Sequence, residues 1–599
     1  MYRSKFLKAA AAAGLLAAAL APLPATADPA APAAPGPCGT GGVFTAAPPT
    51  CTYAAVGTDT FTVPAGATAV TVALFGAEGG SAAGFVLPSP PNDGAPGGLG
   101  GETRADLAVT PGQNLQITVG GVGSSGTSRK GEFARPGGRG HGSGGGGAHG
   151  GGGSGGGASD LRTGDFGGAD RILVAGGGGG AGNGGPLLHG GHGGGLEAQP
   201  GGQGGGPEGS GLAGGGGTQS AHGAGGPRNN TVGAPGGAGS DIDQYGSQPN
   251  RGSGGSGGNG GGGGNGGGGG GGGYFAGGGG SGGGRPGDLA GAGGGGSSYA
   301  APSATGVTLA QGVNRGNGKA VVSFRYGASL AVAADTAAPL FGHAVTLTAT
   351  ATSANPTADT PGGTVTFLDG TTPLATVPLD AGRAQLRTGA LQPGDHAITA
   401  TYSGDASHTA GVTEAPSGVT VGFSEPCITT ARVGALTVRA GQALCFASGG
   451  SQTGPVTVAP GGSLALSDAR VTGAVSADGA LAVSVCRSRL TGPVSVTGTA
   501  GYVLIGSQDA AAGCAGNTFQ GPLSIVGNTG GLQASANTVT GPVRIDGNRG
   551  SGPRAGEDAP AFQANRVTGP LRCEGNEPEP VQTGTVVTGP RTGQCRQAP

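Results

Sequence analysis

The feature that most limits what this chain can fold into is the tract from Pro136 to Ser297, where about half of the residues are glycine, against a usual ~7%. Glycine loses more backbone entropy on ordering than any other residue. A tract with little apolar side chain to bury is ordinarily a flexible linker. Two features oppose that reading. Apolar and aromatic anchors interrupt the glycines at Leu173-Val174, Leu187-Leu188, Tyr274-Phe275 and Tyr299. The tract is also bracketed by strands: Thr68 to Phe75 and Asn114 to Val119 alternate with period two before it, and Ala320 to Tyr326 closes it. The ordered alternative is a bundle of extended helices with three residues per turn. Such helices have no internal hydrogen bonds, so their amides must pair with neighbouring helices, and only glycine lets the backbones touch. Collagen is excluded, because the tract has no G-X-Y period and little proline. The anchors are expected to be buried between the glycine helices.

The strings GGGASDLR (Gly155 to Arg162), ILVAGGGGGAG (Ile172 to Gly182) and GGGGGGGYFAGGGG (Gly267 to Gly280) carry a resemblance. So do TVPAGATAVTVALFGAEGG (Thr62 to Gly80) and LAVTPGQNLQITVGGVG (Leu107 to Gly123). Residues 38–326 resemble the extracellular glycine-rich domain of the anaplastic lymphoma and leukocyte receptor tyrosine kinases. That resemblance implies a β-sandwich joined to packed polyglycine helices. Kinase activity is not implied, since no lysine stands in a V-A-I-K context and no H-R-D loop is present.

Ahead of this module, Arg3, Lys5 and Lys8, the apolar run Ala9 to Ala21 and Ala25-Thr26-Ala27 read as a secretory signal over residues 1–27. A Pro/Ala spacer over 28–37 follows it. The expected location is extracellular, with retention at the cell surface left open. No later stretch is long and apolar enough for a transmembrane helix. A formal net charge of -2 gives no electrostatic case for nucleic acid.

Residues 327–422 carry period-two segments at 343–350, 363–367, 383–388, 396–402 and 418–421, separated by turn signals such as Asp369-Gly370. This predicts a second β-sandwich. GGTVTFLDGTTPLATVPL (Gly362 to Leu379) and LQPGDHAITATYSGD (Leu391 to Asp405) resemble bacterial Ig-like repeats of secreted and surface proteins. The module is expected to act as a passive spacer.

Residues 423–599 are repetitive. The phrase T-G-P-V, or a close variant, recurs at Gly434, Gly454, Gly473, Gly492, Gly521, Gly541, Gly569 and Gly589, at spacings of 20, 19, 19, 29, 20, 28 and 20 residues. Each repeat has one or two short β-branched segments and cannot bury its face alone, so neighbours must stack. A parallel β-helix with one rung per repeat is expected. Asn517, Asn537 and Asn565 share one phase, and Asn528, Asn548 and Asn576 another, which suits stacked asparagine ladders. The fold class is thus all-β: a β-sandwich with a packed polyglycine-helix insertion, an Ig-like sandwich and a parallel β-helix.

Secretion permits disulfides. Cys38 and Cys51 close a small loop. Cys427–Cys445, Cys486–Cys514 and Cys573–Cys595 lie one repeat apart at nearly equal phase. Stacked strands about 4.7–4.9 Å apart satisfy the Cα separation a disulfide needs.

Chemical motifs are sparse. Asp165-Phe166-Gly167 spells the kinase D-F-G without its partners. His149 to Gly152 and Gly152 to Gly156 mimic hydrolase motifs but lack the strand–turn–helix setting those need. Gly236 to Asp241 starts a calcium nonapeptide that Asp243 breaks. His141, His149, His189, His192 and His222 have no zinc-cage spacing. On the repeats, Asp468, Asp509, Asp546, Glu574, Arg544 and Arg572 are the candidates for sugar chemistry or binding. Asp546/Glu574 and Arg544/Arg572 are expected to stack one rung apart as like charges. No catalytic, metal or cofactor site is expected. The reading is a secreted non-catalytic binding or structural protein, acting in adhesion or surface recognition, whose partner is a glycan or a cell-surface protein. The alternative is a β-helix polysaccharide lyase or hydrolase with accessory domains. Oligomeric state is not legible.

Overall fold

The computed structural model of the protein describes residues 36–83, 94–127, 137–140, 144–148, 150–204, 211–227, 260, 265–283, 289–508, 513–550 and 559–596. The signal segment, His141, His149, Asp509 and the 236–243 motif lie outside them. Among the described residues the regular structure is strand, with two single-turn 3₁₀ segments and no α-helix.

The first module is a sandwich of two sheets. One has the order β1 (Val43–Thr45), β2 (Thr50–Tyr53), β11 (Lys319–Tyr326), β4 (Ala67–Phe75), β5 (Gly100–Ala108), β10 (Thr305–Asn314). The other runs β3 (Gly57–Thr62), β6 (Asn114–Val119), β7 (Ser159–Arg162), β8 (Arg171–Ala175), β9 (Tyr299–Ala300). Phe61, Val72, Leu115, Ile117, Leu173 and Phe324 fill the space between them.

Glycine segments lead directly out of these strands. Residues 176–182 continue β8, and their hydrogen bonds rotate through three neighbours with period three. The amides of Gly177 and Gly180 reach the Gly272 and Gly269 carbonyls. Those of Gly178 and Ala181 reach Ala77 and Gly80, and those of Gly179 and Gly182 reach Gly191 and Leu188. In return, carbonyls of the same segment accept from Gly98 and Gly101, from Gly153 and Gly156, and from Gly293 and Gly296. One extended glycine helix therefore has six hydrogen-bonded neighbours. A three-residue turn produces this arrangement when nothing larger than hydrogen stands on the Cα. A Cβ built on Gly177, Gly178, Gly179 or Gly180 would overlap a carbonyl of Gly156, Gly98, Gly293 or Gly153. Leu173, Val174 and Leu188 are buried as expected. Leu187 is not, being 77% exposed, and Tyr274, Phe275 and Tyr299 are only half-buried. Backbones in contact leave no space for long side chains, which are displaced to the margins of the array.

The Ig-like module comprises β12 (Ala328–Ala334), β13 (Val345–Ser353) and β16 (Arg383–Thr388) in one sheet. It faces β15 (Thr372–Pro378), β14 (Thr364–Asp369), β17 (Gly394–Tyr402), β18 (Gly411–Val412) and β19 (Ser417–Val421). Its hydrophobic core does not stop at its own strands. Phe341, Leu391 and Val421 belong to one cluster with Ala443, Cys445, Ala465 and Ala482 of the repeats. At the other junction, Gly327 donates to the Gly66 carbonyl and Tyr326 to the Ser407 carbonyl. The module is therefore packed against its neighbours on both sides. Deleting 327–422 would bare an apolar surface on the repeats.

The repeats form a parallel β-solenoid of eight rungs. The first rung has three sides, Ala431–Val433, Leu436–Val438 and Ala443–Phe446. The pattern holds through the fifth rung, Thr518–Gln520, Leu523–Val526 and Leu532–Ala534, and later rungs keep regular strands on the first two sides. The sequence showed at most two segments per repeat; the structure adds a third side. Val438, Val458, Val485, Ile525, Val543 and Leu571 point inward and build the core.

Both asparagine ladders form. Asn517 Nδ2 donates to Asn537 Oδ1 at 2.9 Å, and Asn537 Nδ2 to Asn565 Oδ1 at 3.0 Å. Asn528 and Asn548 repeat this with Asn548 and Asn576, at 2.8 and 3.0 Å. The four disulfides pair Cys38–Cys51, Cys427–Cys445, Cys486–Cys514 and Cys573–Cys595, with Cα separations of 5.4, 4.7, 4.9 and 5.2 Å. Non-reducing peptide mapping is expected to return these four pairs. Cys427 joined to Cys595 would refute the rung register. Each bridge closing a loop of this size contributes roughly 3 kcal/mol.

Candidate functional site

The phrase T-G-P-V builds the corner between the first and second sides. At this corner Gly454, Gly473, Gly492, Gly521, Gly541 and Gly569 hold positive φ, between 121° and 153°. A Cβ on any of them would strike the carbonyl of the column glycine one rung earlier. The following valine or leucine turns inward, and the residue after it faces solvent. That outward column reads Thr437, Thr457, Ser476, Ser495, Ser524, Arg544, Arg572 and Thr592 in register. It changes from hydroxyls to guanidinium groups in the sixth and seventh rungs.

There the second side carries a groove of about 460 Å³, with Pro522, Pro542 and Pro570 forming an apolar floor beside Ser524, Arg544 and Arg572. The sequence pattern gave these prolines no role beyond their place in the T-G-P-V phrase. The available signal was their run: proline follows the repeat glycine without a break from Pro493 through Pro522, Pro542, Pro570 and Pro590, whereas alanine stands at 435 and 474.

The expected like-charge stacking is present in register, Arg544 opposite Arg572 and Asp546 opposite Glu574. Cross-pairing neutralises it. Arg544 Nε donates to Asp546, Arg572 donates to Glu574, and Arg572 Nε lies 3.6 Å from Asp546. The Glu574 amide donates to Asp546 Oδ1 at 2.9 Å. The hydrogen bond to Glu574, then the charge of Asp546, hold the Arg572 guanidinium above its ordinary pKa. Asp546 is 8% exposed, while the two arginine side chains are 52% and 48% exposed. Asp546 thus sits beneath the two guanidinium groups, whereas the Glu574 side chain is as exposed as that of Arg572; each arginine keeps further N–H donors beside the groove. Elsewhere, Asp468 pairs with Arg487 at 2.9 Å, and hydrogen bonds from Arg487 lower its pKa.

The other sequence candidates have structural roles. Asp165, Phe166 and Gly167 lie in the exposed turn between β7 and β8, where Arg162 donates to the Phe166 carbonyl at 2.9 Å. Ser154 is buried in the glycine array, and its Oγ accepts from the Ser124 amide at 2.6 Å. His192 Nδ1 accepts from the Leu99 amide at 2.9 Å, and His222 Nδ1 from that of Ala276 at 3.1 Å. Burial, then the nearby His189, pushes the His192 imidazole below its usual pKa. Among the described residues no three His, Cys, Asp or Glu side chains gather to hold a metal.

Two features escaped the sequence reading. Tyr274 stacks on Tyr299 at 4.1 Å with Phe275 edge-on to it at 5.1 Å, a half-exposed aromatic cluster at the margin of the glycine array. Arg162 and Asp160 form a buried ion pair at 2.6 Å under the β7–β8 hairpin. No helix among the described residues is long and apolar enough to cross a membrane.

Comparison of the whole chain with curated proteins finds no match. Residues 331–422 match the family model of the bacterial Ig-like domain (group 3), so this module, a minor part of the chain, is similar to that family.

Proposed function

We propose that this is a secreted, non-catalytic binding protein whose ligand face is the second side of the solenoid, and that the ligand is an extended anionic glycan. The observation that carries the reading is the pair of half-exposed guanidinium groups, Arg544 and Arg572, one rung apart beside a floor of stacked prolines. Arginine presents a planar fork that suits carboxylates, and pyrrolidine rings suit the apolar face of a sugar. Asp546 and Glu574 are already engaged by arginine, which favours binding over the paired free carboxylates of glycoside hydrolysis. A secretory signal and four disulfides support an extracellular setting. The hydrogen-bonded glycine array supports the resemblance of residues 38–326 to the receptor-kinase glycine-rich domain, and adhesion or surface recognition is the role proposed for the whole.

The test is titration calorimetry of the mature chain with a polyuronate and a neutral glucan. The polyuronate is expected to bind, with affinity falling as salt rises. Arg544→Gln combined with Arg572→Gln is expected to weaken binding at least about ten-fold, as loss of charge-assisted hydrogen bonds does. Equal binding of the neutral glucan, or an indifferent double variant, would remove the groove from the reading. Release of new reducing ends that stops on Asp546→Asn would favour the lyase or hydrolase instead.

A further inference from the structure

His396 lies on β17, opposite Val419 of β19. Its side chain is 11% exposed, and both ring nitrogens face acceptors. Nδ1 is 2.7 Å from Asp369 Oδ2 at the end of β14, and Nε2 is 2.6 Å from the Gln392 carbonyl oxygen. A neutral imidazole has one N–H donor and one acceptor nitrogen. It would serve one of these oxygens and set its lone pair against the other. The site is satisfied when both nitrogens carry hydrogen, as they do in the imidazolium beside the Asp369 carboxylate. His408 of the same module is held differently. It meets Asp405 through Nδ1 at 3.0 Å, and among the described residues its Nε2 has no partner, so one N–H suffices there.

The carbonyl that His396 holds belongs to the segment packed on the solenoid. Gln392 Nε2 donates to the Ala390 carbonyl at 3.1 Å, and the Ala390 amide to Thr388 Oγ1 at 3.2 Å. Ala390 packs against the solenoid cluster of Cys486, Tyr502, Leu504 and Cys514. Leu391, 6% exposed, lies in the cluster shared with Ala443, Cys445, Ala465 and Ala482. Residues 388–392 are thus a short clip, pinned to β14 through one imidazole and pressed on the third side of the solenoid.

The charges that act on His396 are negative. Asp369 faces it from β14, and Asp395 stands beside it on β17, where it accepts from Thr420 Oγ1 of β19 at 2.6 Å. The clip and β19 bring the uncharged Gln392 and Val419. Burial opposes the charged ring, and the hydrogen bonds to Asp369 and Gln392 outweigh it, so the pKa stands above its ordinary value.

We propose that His396 is a pH-operated latch on the joint between the Ig-like module and the solenoid. With both ring protons it ties residues 388–392 to β14. When one proton leaves to solvent, the Gln392 carbonyl is released and the clip lifts from the third side. A histidine whose folded pKa is raised stabilises the folded arrangement fully below its unfolded pKa of about 6.5. That contribution is lost as pH climbs through the folded value. The latch is therefore closed on the acid side of neutrality and opens on the alkaline side.

Two measurements on the mature chain test this. The first is imidazole NMR from about pH 6 to about pH 9, with the His396 signal identified as the one missing from His396→Gln. Its midpoint is expected above about 6.5, and Asp369→Asn is expected to lower it. The second is hydrogen exchange of residues 388–392 over the same range, read against β13 of the same module so that base catalysis cancels. Protection of the clip is expected to fall several-fold as pH rises through the His396 midpoint. His396→Gln, which has no proton to lose, is expected to show the lowered protection at every pH. The wild-type titration and exchange stand without the variant's folding, since each is compared with the other. A midpoint at or below about 6.5, a midpoint unmoved by Asp369→Asn, a clip equally protected across the range, or the same pH dependence in His396→Gln would each overturn the inference.

Discussion

Gly178→Val is expected to unfold the glycine-rich module, while Gly185→Ala, a few residues along the same tract, leaves it intact. A side chain at Gly178 would overlap the Gly98 carbonyl, and that carbonyl belongs to a helix whose Gly98 amide is itself bonded to Gly179. Neither backbone can retreat without breaking hydrogen bonds to further neighbours. Overpacking in an ordinary core costs about 1–3 kcal/mol because side chains re-pack. Here no side chain is present to move, so the expected cost is at least about 3 kcal/mol. At Gly185 a Cβ would meet nothing within 4 Å, and the change should stay within about 0.5 kcal/mol. Thermal unfolding with hydrogen exchange at residues 176–182 reads both. Unprotected amides in the wild type, or equal stability of the two variants, would return the tract to a linker.

Asn537→Ala should be the most damaging single polar substitution in the solenoid. The Asn537 Oδ1 accepts from the Asn517 amide at 3.0 Å and from Asn517 Nδ2 at 2.9 Å. Its Nδ2 donates to the Ile505 carbonyl at 2.7 Å and to Asn565 Oδ1 at 3.0 Å. Truncation leaves the Asn517 amide without its acceptor in a dry interior and takes one of two donors from the Ile505 carbonyl, which keeps the Ser535 amide; a buried group left unsatisfied costs about 1–3 kcal/mol. With the cavity added, the total should be about 3–5 kcal/mol. The ladder ends at Thr585, whose Oγ1 accepts from the Asn565 amide at 3.3 Å, so Thr585→Val should cost less, about 1–2 kcal/mol. Denaturant unfolding that ranks the pair in the opposite order would show that the ladder does not carry the stack.

What could be read from the sequence depended on whether a residue's constraint is local. The T-G-P-V spacing, the cysteine phase and the asparagine phase are one-dimensional consequences of stacking, and all three appear in the rungs. The third side was illegible for a physical reason. Ser463–Ser467 is buried at four of its five positions, because its inner face meets the solenoid core and its outer face meets the Ig-like module. A strand covered on both faces loses the period-two alternation that reveals strands. The same covering made the joint invisible, since Ala443, Ala465 and Ala482 are small on both sides. In the glycine tract the composition announced close approach but not which helices touch, because every glycine fits every neighbour. The groove was half legible: Arg544 and Arg572 could be placed in register, but their neutralisation by Asp546 and Glu574 depends on side-chain directions that spacing does not contain.

The glycine array also sets how the module responds to temperature. Unfolding raises heat capacity through the apolar surface it exposes, by about 0.45 cal/K/mol per Å², and lowers it through polar surface, by about 0.26 cal/K/mol per Å². The solenoid is a column of valine, leucine and isoleucine, and its stability should follow the usual dome, fading on cooling as well as on heating. Segments such as 176–182 bury mainly peptide groups, so melting them exposes little that raises heat capacity. Their stability curve is expected to be nearly straight and to keep rising as temperature falls. Calorimetry of this one chain should therefore resolve a flat, cold-tolerant part and a curved, cold-sensitive part.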